Sequence, residues 1–274
     1  MSLDTAAYKK SSFGPAFLFL NKQRREALAA YYAFCRLMDD IADEPDITDR
    51  RKELDVWRQE IERVFEGRAQ TELGKELQNK VVPLGLPSDR FLLLIEGMQA
   101  DVEGKSYTTL EALEWYLWRV AGIVGLATLD ILGVKGPKAQ ALARALGFAV
   151  QTTNIVRDVY EDVQLGRVYL PDDFLAVERL SRGQLLNGEK PETLPKVLAH
   201  MAQKSAQFYV QADEIMRTLP RRKMLACYIM SFVYQANLAK IEKTGFVFDK
   251  PIKLSKFEKI KACIYALCKT IFSC

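Results

Sequence analysis

The 274-residue sequence contains one histidine, His200. That scarcity excludes a di-iron bundle, which needs Glu-x-x-His pairs on its helices, and argues against zinc, which favours His or Cys ligands. The five cysteines, Cys35, Cys227, Cys263, Cys268 and Cys274, are odd in number and form no C-x-x-C pair. They predict packing roles in a reducing compartment and no disulfide framework. Cys274 stands last, so it is not the cysteine of a C-a-a-X signal. No apolar run reaches the roughly 18 residues that a membrane span requires. The opening MSLDTAAYKKSSF lacks the basic-then-apolar order of a secretory signal. A cytoplasmic protein is therefore expected. The charge excess is small, 39 basic against 35 acidic residues. It predicts no nucleic-acid partner, while an anionic small substrate or anionic lipid surface stays compatible with it. No G-x-G-x-x-G follows a strand-like segment, but an all-α reductase would not use that turn, so the use of NADPH is left open.

Strand-length alternation of apolar and polar residues is nearly absent, and so are linkers rich in Gly, Pro and Ser. Leu, Ala, Glu, Lys, Arg and Gln dominate instead, with apolar residues three and four apart. This pattern predicts helices over about Lys22–Glu44, Asp49–Phe65, Asp89–Val102, Leu110–Leu132, Ala139–Asp162, Leu194–Thr218 and Arg222–Thr244. Pro45 closes the first, and Ser88 or Asp89 can cap the third. With no composition shift at any break, residues 1–274 read as one all-α domain. Leu110–Leu132 and Ala139–Asp162 are apolar around most of their circumference, which places them at the centre of a bundle. Acids on such helices need a cation, a metal or a watered cavity.

Two helices carry the same acidic stripe. At about 100° per residue, Tyr32, Arg36, Asp39 and Asp43 fall on one face, and so do Gln151, Asn154, Asp158 and Asp162. Each stripe ends in two aspartates four residues apart, where like charges repel. Four carboxylates facing one another would raise their pKa values unless a divalent cation joined them. An oxygen-only donor set suits Mg²⁺, Mn²⁺ or Ca²⁺. Mg²⁺ keeps ligand positions for water and substrate phosphate, so the missing ligand reads as a diphosphate. The phosphate-binding candidates nearby are Arg36, Arg157, Arg167 and Tyr169, with Lys9, Lys10, Ser11 and Ser12 before the first helix. Three of them have a plainer alternative: Arg157 can pair with a neighbouring acid, and Ser11 and Ser12 can cap a helix. Tyr31, Phe34, Tyr116 and Trp118 read as core, and His200 as a packing or surface residue.

The segments SSFGPAFLFL, YYAFCRLMDDIADE, YLWRVAGIVGLATL and QTTNIVRDVYEDVQLGRVYLP resemble, in the same order, blocks of the squalene/phytoene synthase family. The resemblance spans roughly residues 8 to 260 and is nearest to the short bacterial members linked to hopanoid synthesis. It implies an all-α isoprenoid-synthase bundle with a central cavity. It implies Mg²⁺–diphosphate binding by Asp39, Asp43, Asp158 and Asp162 with Asn154 assisting, and Mn²⁺ as a substitute ion. It also implies that Arg36 binds diphosphate, that Ser11 and Ser12 lie in a phosphate loop, and that Tyr32, Gln151 and Tyr234 sit near the reacting carbons. Ala121, Val124 and Gly125 match the small-residue stretch that admits a prenyl tail. One departure is visible: family members often carry an arginine near the C-terminal G-F/Y-x-V stretch, whereas Gly245–Lys253 reads GFVFDKPIK.

The expected reaction is head-to-head condensation of two farnesyl diphosphates to presqualene diphosphate, with squalene as an onward product. Joining two geranylgeranyl diphosphates to phytoene is the alternative. Terpene cyclisation, a non-catalytic helical scaffold, or a subunit of a pathway-enzyme complex are the remoter readings. The segment from Lys253 to Cys274 is basic and amphipathic, and reads either as a last helix docked on the bundle or as an interfacial helix on anionic lipid.

Overall fold

The computed structural model describes residues 20–44 and 47–272, and every regular element among them is helical. Among the described residues twelve α-helices follow in order: α1 (Lys22–Asp43), α2 (Arg50–Phe65), α3 (Glu72–Lys80), α4 (Asp89–Val102), α5 (Leu110–Leu117), α6 (Ile123–Ile131), α7 (Pro137–Gln164), α8 (Asp172–Val177), α9 (Arg182–Leu186), α10 (Leu194–Arg217), α11 (Arg221–Glu242) and α12 (Lys256–Phe272).

Local chemistry sets most of the boundaries. Asn21 accepts the Arg24 N–H at 2.9 Å to open α1, and Glu44 turns extended just ahead of Pro45 to end it. Asp49 caps α2 through the Lys52 N–H at 3.0 Å. At α4 the expected side-chain cap does not form. Ser88 makes no capping bond, and the Asp89 carboxylate instead accepts from Arg90 at 2.8 Å. Pro137 occupies the first turn of α7, where its missing N–H costs nothing.

The helix expected over Leu110–Leu132 is interrupted. Trp118–Gly122 forms one wide π turn between α5 and α6. Close backbone contact explains its position. A Cβ on Gly147 of α7 would lie 2.8 Å from the Gly122 nitrogen and 2.9 Å from the Ala121 carbonyl carbon. A Cβ on Gly97 of α4 would lie 2.7 Å from Val120. Two helices therefore press on the π turn through glycines, and the turn widens where they meet it. Such bulges occur often at functional sites.

α7 is the shared centre. Its Ala139, Leu142, Ala143 and Leu146 belong to an apolar cluster with α1, α2, α4, α6 and α11. Phe148, Ile155, Val156 and Val159 belong to a second cluster with α5, α8 and α10. Each fully buried Leu, Ile or Phe contributes about 1.5–3 kcal/mol. Between α7 and α10 the buried Thr153 hydroxyl bonds Ser205 at 2.9 Å and Tyr209 at 3.0 Å, so these three hydroxyls satisfy one another. α12 lies along α11, with Ala262 and Ala266 buried between them. His200 packs its ring flat on Phe174 at 4.0 Å between centroids, as a packing histidine should.

Candidate active site

A cavity of about 290 Å³ opens between α1, α4, the π turn, α6, α7 and α11. Its wall is mostly apolar, with Leu28, Leu129, Leu142 and Leu146 among the lining side chains. Ala121, Val124 and Gly125 form part of it, where small side chains leave room beside the π turn. Its polar residues include Tyr32 and Asp39 from α1, Gln151 and Asn154 from α7, and Tyr234 from α11. Eight residues singled out from sequence thus line one space, although they come from four separate segments. Cys35, Thr128 and Cys227 also line it.

Beside the cavity the aspartate stripes of α1 and α7 come together. The link is Arg167, in the loop after α7. Its Nη1 donates to Asp43 Oδ1 at 2.5 Å, and its Nη2 to the Ala42 carbonyl at 2.8 Å. Arg157 donates through Nε to Asp158 Oδ1 at 2.7 Å and through Nη2 to Oδ2 at 2.5 Å. The reading of Arg157 as partner of a neighbouring acid is therefore met, which leaves a phosphate role to a rearranged side chain. Arg36 is exposed and pairs with Asp40 at 2.7 Å, one residue beyond the stripe. Lys10, Ser11 and Ser12 lie outside the described residues.

The carboxylates that lack an arginine are the ones under electrostatic strain. Burial, then the negative charge of Asp43, pushes Asp39 up to about 7. Burial, then Asp158, pushes Asp162 up to about 8, with Asp101 and Asp43 adding to the effect. Asp39 and Asp162 stand on different helices, and each feels both Asp43 and Asp101. Four acids from α1 and α7 and a fifth from α4 thus share one field.

Asp101 was not singled out from sequence. It is buried on α4 and accepts from the Tyr169 hydroxyl at 2.7 Å and the Tyr116 hydroxyl at 2.9 Å. The two tyrosine rings stack at 5.0 Å. Burial raises Asp101 to about 6, against the pull of these hydrogen bonds and of Arg167. Tyr169, expected to touch phosphate, is buried and gives its hydroxyl to Asp101. Tyr116, expected to be plain core, belongs to the same network. The signal was available: Asp101 is an acid on the largely apolar helix FLLLIEGMQADV, the pattern that marked α7.

These residues fit a divalent cation in a particular way. Among the described residues no group of three His, Cys, Asp or Glu side chains converges into a ready-made cage. The donors are oxygens in two banks, Asp39 and Asp43 on one side and Asn154, Asp158 and Asp162 on the other. Asn154 donates its amide to Gln151 Oε1 at 3.1 Å, which leaves its Oδ1 buried without a partner. An orphaned acceptor beside carboxylates of raised pKa is what a site short of positive charge looks like. It suits a cation that takes few protein ligands and completes its shell with substrate oxygen.

Comparison with known proteins gives this geometry a lineage. The squalene/phytoene synthase family profile matches residues 7–258. The chain belongs to the squalene/phytoene synthase family. It is a prenyltransferase, as the members of that family are. It is 34% identical to the presqualene diphosphate synthase of Rhodopseudomonas palustris, over 91% of this chain and 90% of the relative. It is 30% identical to the 15-cis-phytoene synthase of Synechococcus elongatus, over 93% and 87%. Among solved structures it resembles the squalene synthase of Alicyclobacillus acidocaldarius, with a TM-score of 0.80 and 27% identity over 90% of this chain and 92% of that one. A ligand-bound dehydrosqualene synthase superposes with a TM-score of 0.84 and 26% identity, over 96% and 93%.

Proposed function

We propose that this prenyltransferase joins two farnesyl diphosphates head to head to form presqualene diphosphate. The observation that carries the reading is the pairing of an apolar cavity with an aspartate cleft beside it. One end suits a hydrocarbon tail and the other a cation-bound diphosphate. A divalent cation, Mg²⁺ or in its place Mn²⁺, held by Asp39, Asp43, Asn154, Asp158 and Asp162, would neutralise diphosphate charge and ease its departure.

The chain's own residues supply the rest. Arg36, Arg157 and Arg167 can turn from their present acids to phosphate oxygens, with Lys10, Ser11 and Ser12 adding donors. Tyr169 holds the Arg167 segment in place through Asp101. The tail enters past Ala121, Val124 and Gly125. When the first carbon–oxygen bond breaks, diphosphate leaves with the electron pair and an allylic cation remains. The double bond of the second substrate attacks that cation. Loss of a proton then closes a cyclopropane ring, which retains the second diphosphate. The apolar wall keeps water from quenching the cation. Tyr32 and Tyr234 offer ring faces to positive charge, and Gln151 a polar contact near the reacting carbons.

Farnesyl is favoured over geranylgeranyl by the relatives named presqualene diphosphate synthase, which are 32–34% identical to this chain. Phytoene synthesis is the second reading, favoured by relatives of that name at 30–31% identity. The test is incubation of the protein and Mg²⁺ with each prenyl diphosphate, with and without NADPH, read by mass spectrometry. A C30 diphosphate without NADPH is expected, and squalene only with NADPH if a reductive step follows. A C40 product from the longer substrate alone would move the assignment to phytoene synthase. We also read the protein as working in the cytoplasm at the inner face of a membrane, where pathway partners would meet it. The lipid substrates proposed above support this reading.

A further inference from the structure

The last helix faces the wrong way for one whose apolar side serves only the core. At about 100° per residue, Phe257, Ile260, Ile264 and Cys268 of α12 occupy one arc, and Ala262 and Ala266 lie opposite. The alanines are the buried side, against α11. The large apolar side chains point away from the bundle: Phe257 is 76% exposed, Ile260 56% and Ile264 55%. Tyr265 borders the arc, 61% exposed, its ring edge on Phe232 at 4.7 Å. Isolated exposed leucines or isoleucines need no explanation, but an outward apolar stripe along several turns does.

The charge around the stripe is of one sign. Between residues 243 and 261 stand six lysines, Lys243, Lys250, Lys253, Lys256, Lys259 and Lys261, against two acids, Asp249 and Glu258. All six lysines are exposed. Both acids are engaged elsewhere: Asp249 accepts from Lys190 at 2.6 Å and Glu258 from Lys240 at 2.9 Å. Lys256 and Lys261 flank the apolar arc on either side. In the loop before the helix Val247 is 70% exposed.

We infer that the α12 face formed by Phe257, Ile260 and Ile264, with its flanking lysines, docks the protein on an anionic bilayer surface. An apolar stripe bordered by lysines suits the headgroup–acyl boundary, with the apolar side chains in the acyl region and the ammonium groups among the phosphates. A second copy of the chain fits worse, because pairing two such faces would set six lysines against six. Docking also orients the enzyme. Lys240, near the C-terminal end of α11, binds Glu258 and the Lys253 carbonyl in and before the first turn of α12. Tyr234, which lines the cavity, lies less than two turns earlier on α11. The docking face and the catalytic cleft therefore share one end of the bundle. That this shortens the path of lipid substrates rests on the reaction proposed above; the binding itself does not.

The test is co-sedimentation of the full chain with vesicles of phosphatidylcholine alone and of phosphatidylcholine mixed with phosphatidylglycerol. The parent is expected to bind the mixed vesicles, to release them at high salt, and to bind neutral vesicles far less. Phe257→Glu/Ile260→Glu is expected to lower the partition coefficient by about tenfold or more, and Lys253→Ala/Lys256→Ala to lower it less. Both should keep the parent's circular dichroism and its turnover of detergent-dispersed substrate. Failure of the parent to bind mixed vesicles would overturn the inference, as would unchanged binding by the glutamate variant. So would a dimer that Phe257→Glu dissociates without any vesicle binding, since that would make the face a protein interface. Vesicle binding without coupled product would refute the proposed reaction and leave the docking intact. Coupled product without binding would do the reverse.

Discussion

Replacing Asp162 with asparagine should make the metal-free protein more stable while removing its activity. Asp162 is raised from 3.8 to about 8 by burial first and by Asp158 next. The folded state therefore holds a proton that the unfolded chain releases. Between these two values the native state binds more protons, so stability falls as pH rises. At about 1.4 kcal/mol per tenfold change, the distance from 3.8 to about 8 corresponds to at most about 6 kcal/mol above pH 8. Asp162 is partly exposed and shares its field with Asp158, so about 2 kcal/mol is the reasonable expectation. An asparagine of nearly the same shape never has to ionise. Asp162→Asn should melt roughly 4–8 °C above the parent at pH 9 without metal, and the gap should shrink towards pH 5. With Mg²⁺ and inorganic diphosphate present, the parent should gain stability and the variant gain less. Differential scanning calorimetry across pH, with and without the ion, measures all of this. A variant less stable than the parent at pH 9, or a gap independent of pH, would show that the cleft carboxylates are not under strain. The proposed cation site would then have no electrostatic basis.

Two further outcomes follow from the packing around the site. Gly147→Ala places a methyl against backbone atoms of Ala121 and Gly122, so the π turn or α7 must shift, at a cost of about 1–3 kcal/mol in denaturant unfolding. Gly125→Ala serves as its comparison. Its Cβ would meet nothing closer than the Ala143 carbonyl at 3.6 Å, so stability should hold while the narrowed cavity changes product yield. Equal stability of the two variants would refute the account of the π turn. Tyr169→Phe removes one of the two tyrosine donors from the buried Asp101 and should cost about 1–3 kcal/mol in urea unfolding. No measurable loss would mean that Asp101 is already protonated or otherwise served.

The positions of α1, α2, α4, α7, α10 and α11 were legible because an amphipathic or buried helix writes its period into about twenty consecutive residues. The two stripes were legible for the same reason. Once Tyr32, Asp39, Gln151 and Asn154 are on helices, their common faces follow from about 100° per residue. The donor chemistry also came from the residues themselves, since a chain with one histidine and carboxylate stripes offers a cation little but oxygen. The family blocks added the small-residue stretch and Tyr234, which periodicity alone does not mark.

Tertiary structure decided what lies between helices. Arg167 reaches Asp43 across 124 positions of sequence, and Tyr169 reaches Asp101 across 68. No local pattern encodes such partners, because they depend on which helix end packs against which. Arg36, by contrast, pairs with Asp40 one turn along its own helix, a local i,i+4 contact that the spacing alone allows. The π turn at Trp118–Gly122 arises from Gly97 and Gly147 pressing from two other helices, so the segment itself reads as ordinary helix. The direction of α12 is the sharpest case. Its amphipathic period is plain in the residues from Lys256 onward, but a period has no sign. Only the packing of Ala262 and Ala266 on α11 shows that the large apolar side chains face outward.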